Sequence, residues 1–169
     1  MKLSFGITVN NQPNYFIEKI WKGLLNGPGN LDEVYLNYQG RYLDKFGRFW
    51  DGDTFSEFLE PKIHTIRADP DNLWKAGAEI QLVIHKDTPY EFQFAPNIRC
   101  QSVQRIHIDY SRLINTEGPA VFIDYQLLDK ESLVRLAIND GFATVSDFFY
   151  YFNEEFSGNL VHWSTLTYN

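Results

Sequence analysis

A single cysteine, Cys100, leaves this chain of 169 residues without a partner for an internal disulfide and without a cysteine cage for zinc. An unpaired cysteine is commonly a small apolar core residue, and Cys100 is read that way. The histidines, at positions 64, 85, 107 and 162, show no metal-ligand spacing, so neither a metal nor any other cofactor is expected. Apolar runs stay far below the roughly 18 residues that a membrane span requires, so no membrane segment is expected. Met1-Lys2-Leu3-Ser4-Phe5 lacks the apolar stretch and small-residue cleavage site of a secretory leader, which makes a cytoplasmic location the expectation. Positive charge is also scarce. Fifteen Lys and Arg stand against 22 Asp and Glu, a net charge of -7, which argues against tight nonspecific duplex binding because that affinity comes from phosphate neutralisation. A local basic pocket stays open.

What is present is a good core. Hydrophobic residues make up 44% and aromatics 17%, which argues against disorder, and the length fits one domain over 1–169. Leu3, Phe5, Ile7 and Val9 alternate with Ser4, Gly6 and Thr8 as in a half-buried strand. Phe16, Ile20 and Leu24 then recur at helical spacing until Asn26-Gly27-Pro28-Gly29 stops the helix. Glycines 40, 47 and 52 leave the secondary structure of the next stretch open, although its aromatics suit a packed flap. Strands are predicted over Glu79–His85, Tyr90–Phe94, Ile98–Tyr110 and Val121–Tyr125, with Ile106, Ile108 and Tyr110 on one face and Arg105, His107 and Asp109 on the other. Asp129 is placed to cap a helix that Gly141 stops, and Thr144 with Asp147 reads as a capping box before Phe148, Phe149 and Phe152. Gly158 is expected to end that second helix, and Leu160–Leu166 to form a last strand. This order, without regular strand-helix-strand alternation, gives an α+β fold.

The densest chemistry is Pro61-Lys62-Ile63-His64-Thr65-Ile66-Arg67, followed by the turn-rich Asp69-Pro70-Asp71-Asn72 and Trp74-Lys75-Ala76-Gly77. A K-x-x-T-I-R segment, then a W-K-x-G turn, then a strand, resembles the ASCH domain, a branch of the PUA-like β-barrels. The helix-like Tyr15–Leu24 block, the Leu136–Phe142 block with Asp147-Phe148-Phe149, and Leu160-Val161-His162-Trp163 follow in the family's order. The resemblance implies a partly closed barrel with helices packed at its mouth. Residues 26–59 depart from the shortest members as an aromatic-rich insertion.

The resemblance also implies a ligand, RNA or a modified nucleoside, bound in a pocket built on the motif. Some ASCH proteins are amidohydrolases that deacetylate acetylated cytidine with a lysine, a threonine three residues on and a distant acid. Lys62 and Thr65 match the first two positions, and Asp140 is a looser match to the third, being one methylene shorter than the usual glutamate. His64, Arg67, Trp74 and Lys75 are the accompanying candidates for substrate contact. A threonine nucleophile needs a base, and a lysine serves only with a lowered pKa, whereas an acid beside it would hold the amine protonated.

Structural alternatives stand beside each role. In a regular strand Lys62 and Thr65 point to opposite faces, with Thr65 a β-former and Lys62 in solvent. Trp74 suits a base-stacking platform or an apolar plug, with Gly77 permitting close backbone approach, and Trp163 suits the core. A third class of function, a protein-interaction module, would use the insertion to hold a partner.

Overall fold

Alternation of apolar and polar residues in short runs, broken by clusters of turn residues, yields many short strands and four helices in a computed structural model that describes residues 1–9, 11–50, 57–113 and 118–168. In chain order these are β1 (Lys2–Phe5), β2 (Thr8–Val9), β3 (Gln12–Pro13), α1 (Phe16–Leu25), α2 (Asp32–Phe46), β4 (His64–Arg67), β5 (Glu79–Ile84) and β6 (Phe92–Gln93). They continue with β7 (Ile98–Arg99), β8 (Ser102–Leu113), β9 (Pro119–Ile123), β10 (Gln126–Leu127), α3 (Lys130–Asn139), α4 (Val145–Tyr151) and β11 (Phe156–His162). The fold is α+β, as expected. The strands form three sheets, none closed into a barrel among the described residues. The chain divides into two compact units, Met1–Lys62 with Glu79–Ile98, and Ile63–Ala78 with Arg99–Asn169. No described helix is long and apolar enough to cross a membrane.

In the first unit β1 lies parallel to β5, which also pairs with β6 and β7, and β2 pairs with β3. Ile17, Ile20 and Trp21 form the buried face of α1, one step round from the Phe16–Leu24 stripe, and Trp21 Nε1 donates to Phe94 O at 2.8 Å. The insertion is ordered where described. Its main element is α2, with Tyr42 and Trp50 buried and an aromatic chain running from Tyr35 to Trp50 to Tyr42 to Phe92. Residues 51–56, including Gly52, lie outside the described residues. Gly47 ends α2 in the left-handed conformation that glycine favours, its N–H bonded to Leu43 O. Gly40 has open space where a Cβ would stand. Gly40→Ala is therefore expected to stabilise the protein by about 0.5–1 kcal/mol through helix propensity, read as a higher urea midpoint at unchanged slope.

In the second unit the order β10-β9-β8-β11-β4 makes an antiparallel sheet. The expected strand Ile98–Tyr110 divides into β7 and β8, and within β8 Ile106 and Ile108 are buried and Arg105 is exposed as alternation requires, while His107, Asp109 and Tyr110 are all half-buried. Phe142, Phe148 and Phe152 pack together, with ring centroids 4.9 to 6.2 Å apart. Both caps form, Asp129 accepting from Ser132 N, and Thr144 exchanging bonds with Asp147. The C-terminal strand is displaced from its expected 160–166. It runs over Phe156–His162, and Gly158 lies inside it rather than at a helix end. The reason is steric: a Cβ at 158 would lie 2.4 Å from Arg67 O. The expected strand over Tyr90–Phe94 shrinks to Phe92–Gln93, and Val121–Tyr125 gives way after Ile123 to a turn.

Candidate functional site

Strand β4 is an edge strand, paired among the described residues with β11 alone, and His64, Thr65 and Ile66 on it are all buried. Strand alternation puts His64 and Ile66 on one face and Thr65 and Arg67 on the other. The far edge of this segment is covered by the end of α3: Ile63 N donates to Asn139 O at 3.0 Å, and Ile66 N to Asp140 Oδ1 at 3.1 Å. Such cover protects an edge from pairing with other chains. Asp140, far from the motif in sequence, thus meets its backbone, with its carboxylate 3.5 Å from His64 Nδ1.

The histidine joins a buried polar chain. His64 Nε2 is 2.8 Å from Tyr168 Oη, which accepts from Asn139 Nδ2 at 2.9 Å. Tyr168 is fixed in turn by Gln104, whose amide donates to Tyr168 O and accepts from Tyr168 N. Burial raises the Tyr168 phenol well above its ordinary pKa, so it keeps its proton, and the direction of its hydrogen bond with His64 Nε2 follows the tautomer of the histidine. His162, opposite His64 in the β4–β11 ladder, is fully buried, and neither of its ring nitrogens has a hydrogen-bond partner among the described residues. Burial first, then the neighbouring His64, pushes its pKa down to about 3.

Arg67 feels burial as its dominant influence, which lowers its pKa, while the carboxylate of Asp140 acts in the opposite direction. It remains a cation at neutral pH. Trp74 is only 9% exposed, a plug rather than an open platform, and Lys75 is exposed. Their turn hangs on Asp69, which accepts from Leu73 N, Trp74 N and Asn159 Nδ2. Burial opposes the charged form of Asp69, but those three hydrogen bonds prevail and hold its pKa below the ordinary value. Gly77 has open space for a Cβ, so its role is the positive φ of 85° and not the close approach expected from the sequence.

Lys62 closes the first unit. It lies outside any strand, its backbone N bonded to Lys19 O at 3.0 Å, and it is 1% exposed, so the alternative of a solvated strand residue does not hold. Its ammonium stands 4.8 Å from the centroid of the Phe16 ring and 5.9 Å from that of Phe5. Aromatic faces at that range stabilise the cation.

The structure thus brings His64, Arg67 and Asp140 into one electrostatic neighbourhood. Sequence reading missed Tyr168, Gln104 and Asn139. No local pattern marks them, since their contacts join segments remote in the chain. Among the described residues no group of three or more His, Cys, Asp and Glu side chains is arranged to hold a metal ion. Comparison with protein-family models, with curated proteins and with solved structures gives no match.

Proposed function

We propose that this chain is an ASCH-like, PUA-like domain that binds RNA or a modified nucleoside through the segment Lys62–Arg67. The observation that carries the reading is the burial of Lys62. A fully buried lysine is rare, because desolvating its charge is expensive, and it marks this segment off from the rest of the chain. Here the same short segment also buries His64 and Thr65, and Asp140 accepts from its backbone. Buried donors and acceptors suit the polar edge of a base better than an extended polyphosphate, in keeping with the net charge of -7.

Binding is favoured over hydrolysis by the aromatic faces near Lys62. They hold the Lys62 amino group over the Phe16 ring, whereas a general base must be presented to the proton of its nucleophile. The amidohydrolase reading stands second, favoured by the contact of Asp140 with the backbone beside Thr65, where those enzymes require an acid.

One set of measurements separates the two. Cytidine, acetylated cytidine and short single-stranded RNAs are titrated into wild type, Lys62→Met and Thr65→Ala, with acetate release followed in parallel. Lys62→Met is expected to weaken binding by about ten-fold or more, the scale of a lost charged hydrogen bond, while remaining folded because an apolar isostere replaces a buried charge. Acetate release by wild type that disappears in Thr65→Ala transfers the assignment to the hydrolase. Absence of both saturable binding and release sinks both readings.

A further inference from the structure

The solvent face of β8, β9 and β11 carries a concavity of about 980 Å³, which contains none of the residues Lys62 to Arg67. Its floor includes His107 and Phe122, whose ring centroids lie 6.2 Å apart at an interplanar angle of 33°. His107 Nδ1 is bonded to Ser157 Oγ at 2.9 Å, and no hydrogen bond engages Nε2 among the described residues. At one wall stands Tyr125, 78% exposed, with the Arg105 guanidinium bonded to its hydroxyl.

The backbone under Tyr125 is the unusual part. Asp124 and Tyr125 form the two-residue connection between β9 and β10, with φ of 48° and 69°. That geometry selects Asn or Asp followed by Gly, so a tyrosine stands where glycine is the unstrained choice. A bulky residue at positive φ is a genuine outlier, and such strain persists where the surroundings fix it. Asp124 supplies that fixing, accepting from Gln104 Nε2 and Arg105 N while its own N–H donates to Arg105 O.

Charge decides what the concavity suits. Arg105 is matched by the carboxylates of Asp69 and Asp109, which also line it, so a polyanion gains little. An uncharged planar ring with a hydrogen-bonding edge gains both aromatic faces and the His107 and Asn159 side chains. We infer that this concavity binds one unstacked nucleobase, carried either by a free nucleoside or by an unpaired residue of RNA. The inference does not rest on the role assigned to Lys62.

The test is a titration of the ¹⁵N-labelled whole chain with adenosine, cytidine, hexamers of riboadenylate and ribocytidylate, and ribose 5-phosphate as a control without a base. The nucleosides or hexamers are expected to shift the amide signals of His107, Phe122 and Tyr125, with little dependence on salt. Similar affinity for nucleoside and hexamer identifies the free nucleoside as the source, and tighter hexamer binding identifies RNA. Tyr125→Gly is expected to weaken that binding by about ten-fold or more, the scale of one lost stacking partner, while raising the thermal midpoint because glycine fits the turn. Phe122→Leu is expected to weaken it without the gain in stability, and Lys62→Met to leave these shifts intact. The inference is overturned if no base-bearing probe shifts these signals, if ribose 5-phosphate binds as tightly as the nucleosides, or if Tyr125→Gly retains affinity within about two-fold.

Discussion

Gly158→Ala is expected to destabilise the protein by about 2–4 kcal/mol, a large share of the stability of a chain this size. The added Cβ would stand 2.4 Å from the carbonyl oxygen of Arg67 and 2.8 Å from two atoms of the Phe156 ring. Real side chains do not tolerate the first of these distances. The ring of Phe156 has room to turn, but the carbonyl belongs to the backbone of β4 and is held in the ladder with β11, with Arg67 opposite Asn159. Relief therefore requires parting two strands. Equilibrium urea unfolding of wild type and variant measures the effect, and a loss below about 0.5 kcal/mol would show that the strands separate without cost. Gly158→Ser should behave like the alanine variant, since the clash arises at Cβ.

The second large effect is a dependence of stability on pH through His162. Its imidazole is buried against His64 and Tyr168, and its pKa falls from 6.5 to about 3. Below pH 6.5 the unfolded chain takes up a proton at this ring and the native protein does not, until the pH approaches 3. Stability is therefore fully present above 6.5 and declines as pH falls through that window, by at most about 1.4 kcal/mol per pH unit. Asp124 opposes the shift and His64 reinforces it. Carboxylates such as Asp69 contribute their own loss in acid, so the informative quantity is a difference between proteins. Unfolding free energies at pH 7, 6, 5 and 4 should fall more steeply for wild type than for His162→Phe, which keeps a ring in place and has no nitrogen to protonate. Parallel curves would rule out the buried neutral imidazole as the source.

Features set by neighbouring residues were legible in the sequence. The two faces of β8 follow from alternation alone, and the caps at Asp129 and Thr144 follow from side chains that reach backbone three residues away. Gly158 shows the limit of such reading. As punctuation it marked the end of a helix, whereas its actual cause is the carbonyl of Arg67, a residue more than half the chain away. Helix α2 was obscured by Gly40, which neither breaks it nor meets a steric need. At the candidate site, Asp140 was a loose match in the sequence, and its contact with Ile66 depends on where α3 ends. The burial of Lys62 was illegible because nothing in its neighbours along the chain indicates that an ammonium will sit over Phe16. His64 could not be distinguished from a surface histidine until Tyr168 reached it.

The way the two units alternate along the chain has a consequence for biosynthesis. Residues 63–78 of the second unit are translated between the two halves of the first, so neither unit emerges from the ribosome as one continuous piece. Strand β1 has no parallel partner until β5 appears, and β4 waits for β11, the last of the described strands. At ordinary rates of elongation each delay is on the order of five to twenty seconds, long compared with the collapse of a nascent chain. A chain halted before Phe156 would present β4 without its ladder and β8 without the neighbour on one side, two open templates for pairing with other chains. Chaperone demand in vivo should therefore fall mainly on the interval before β11 is released.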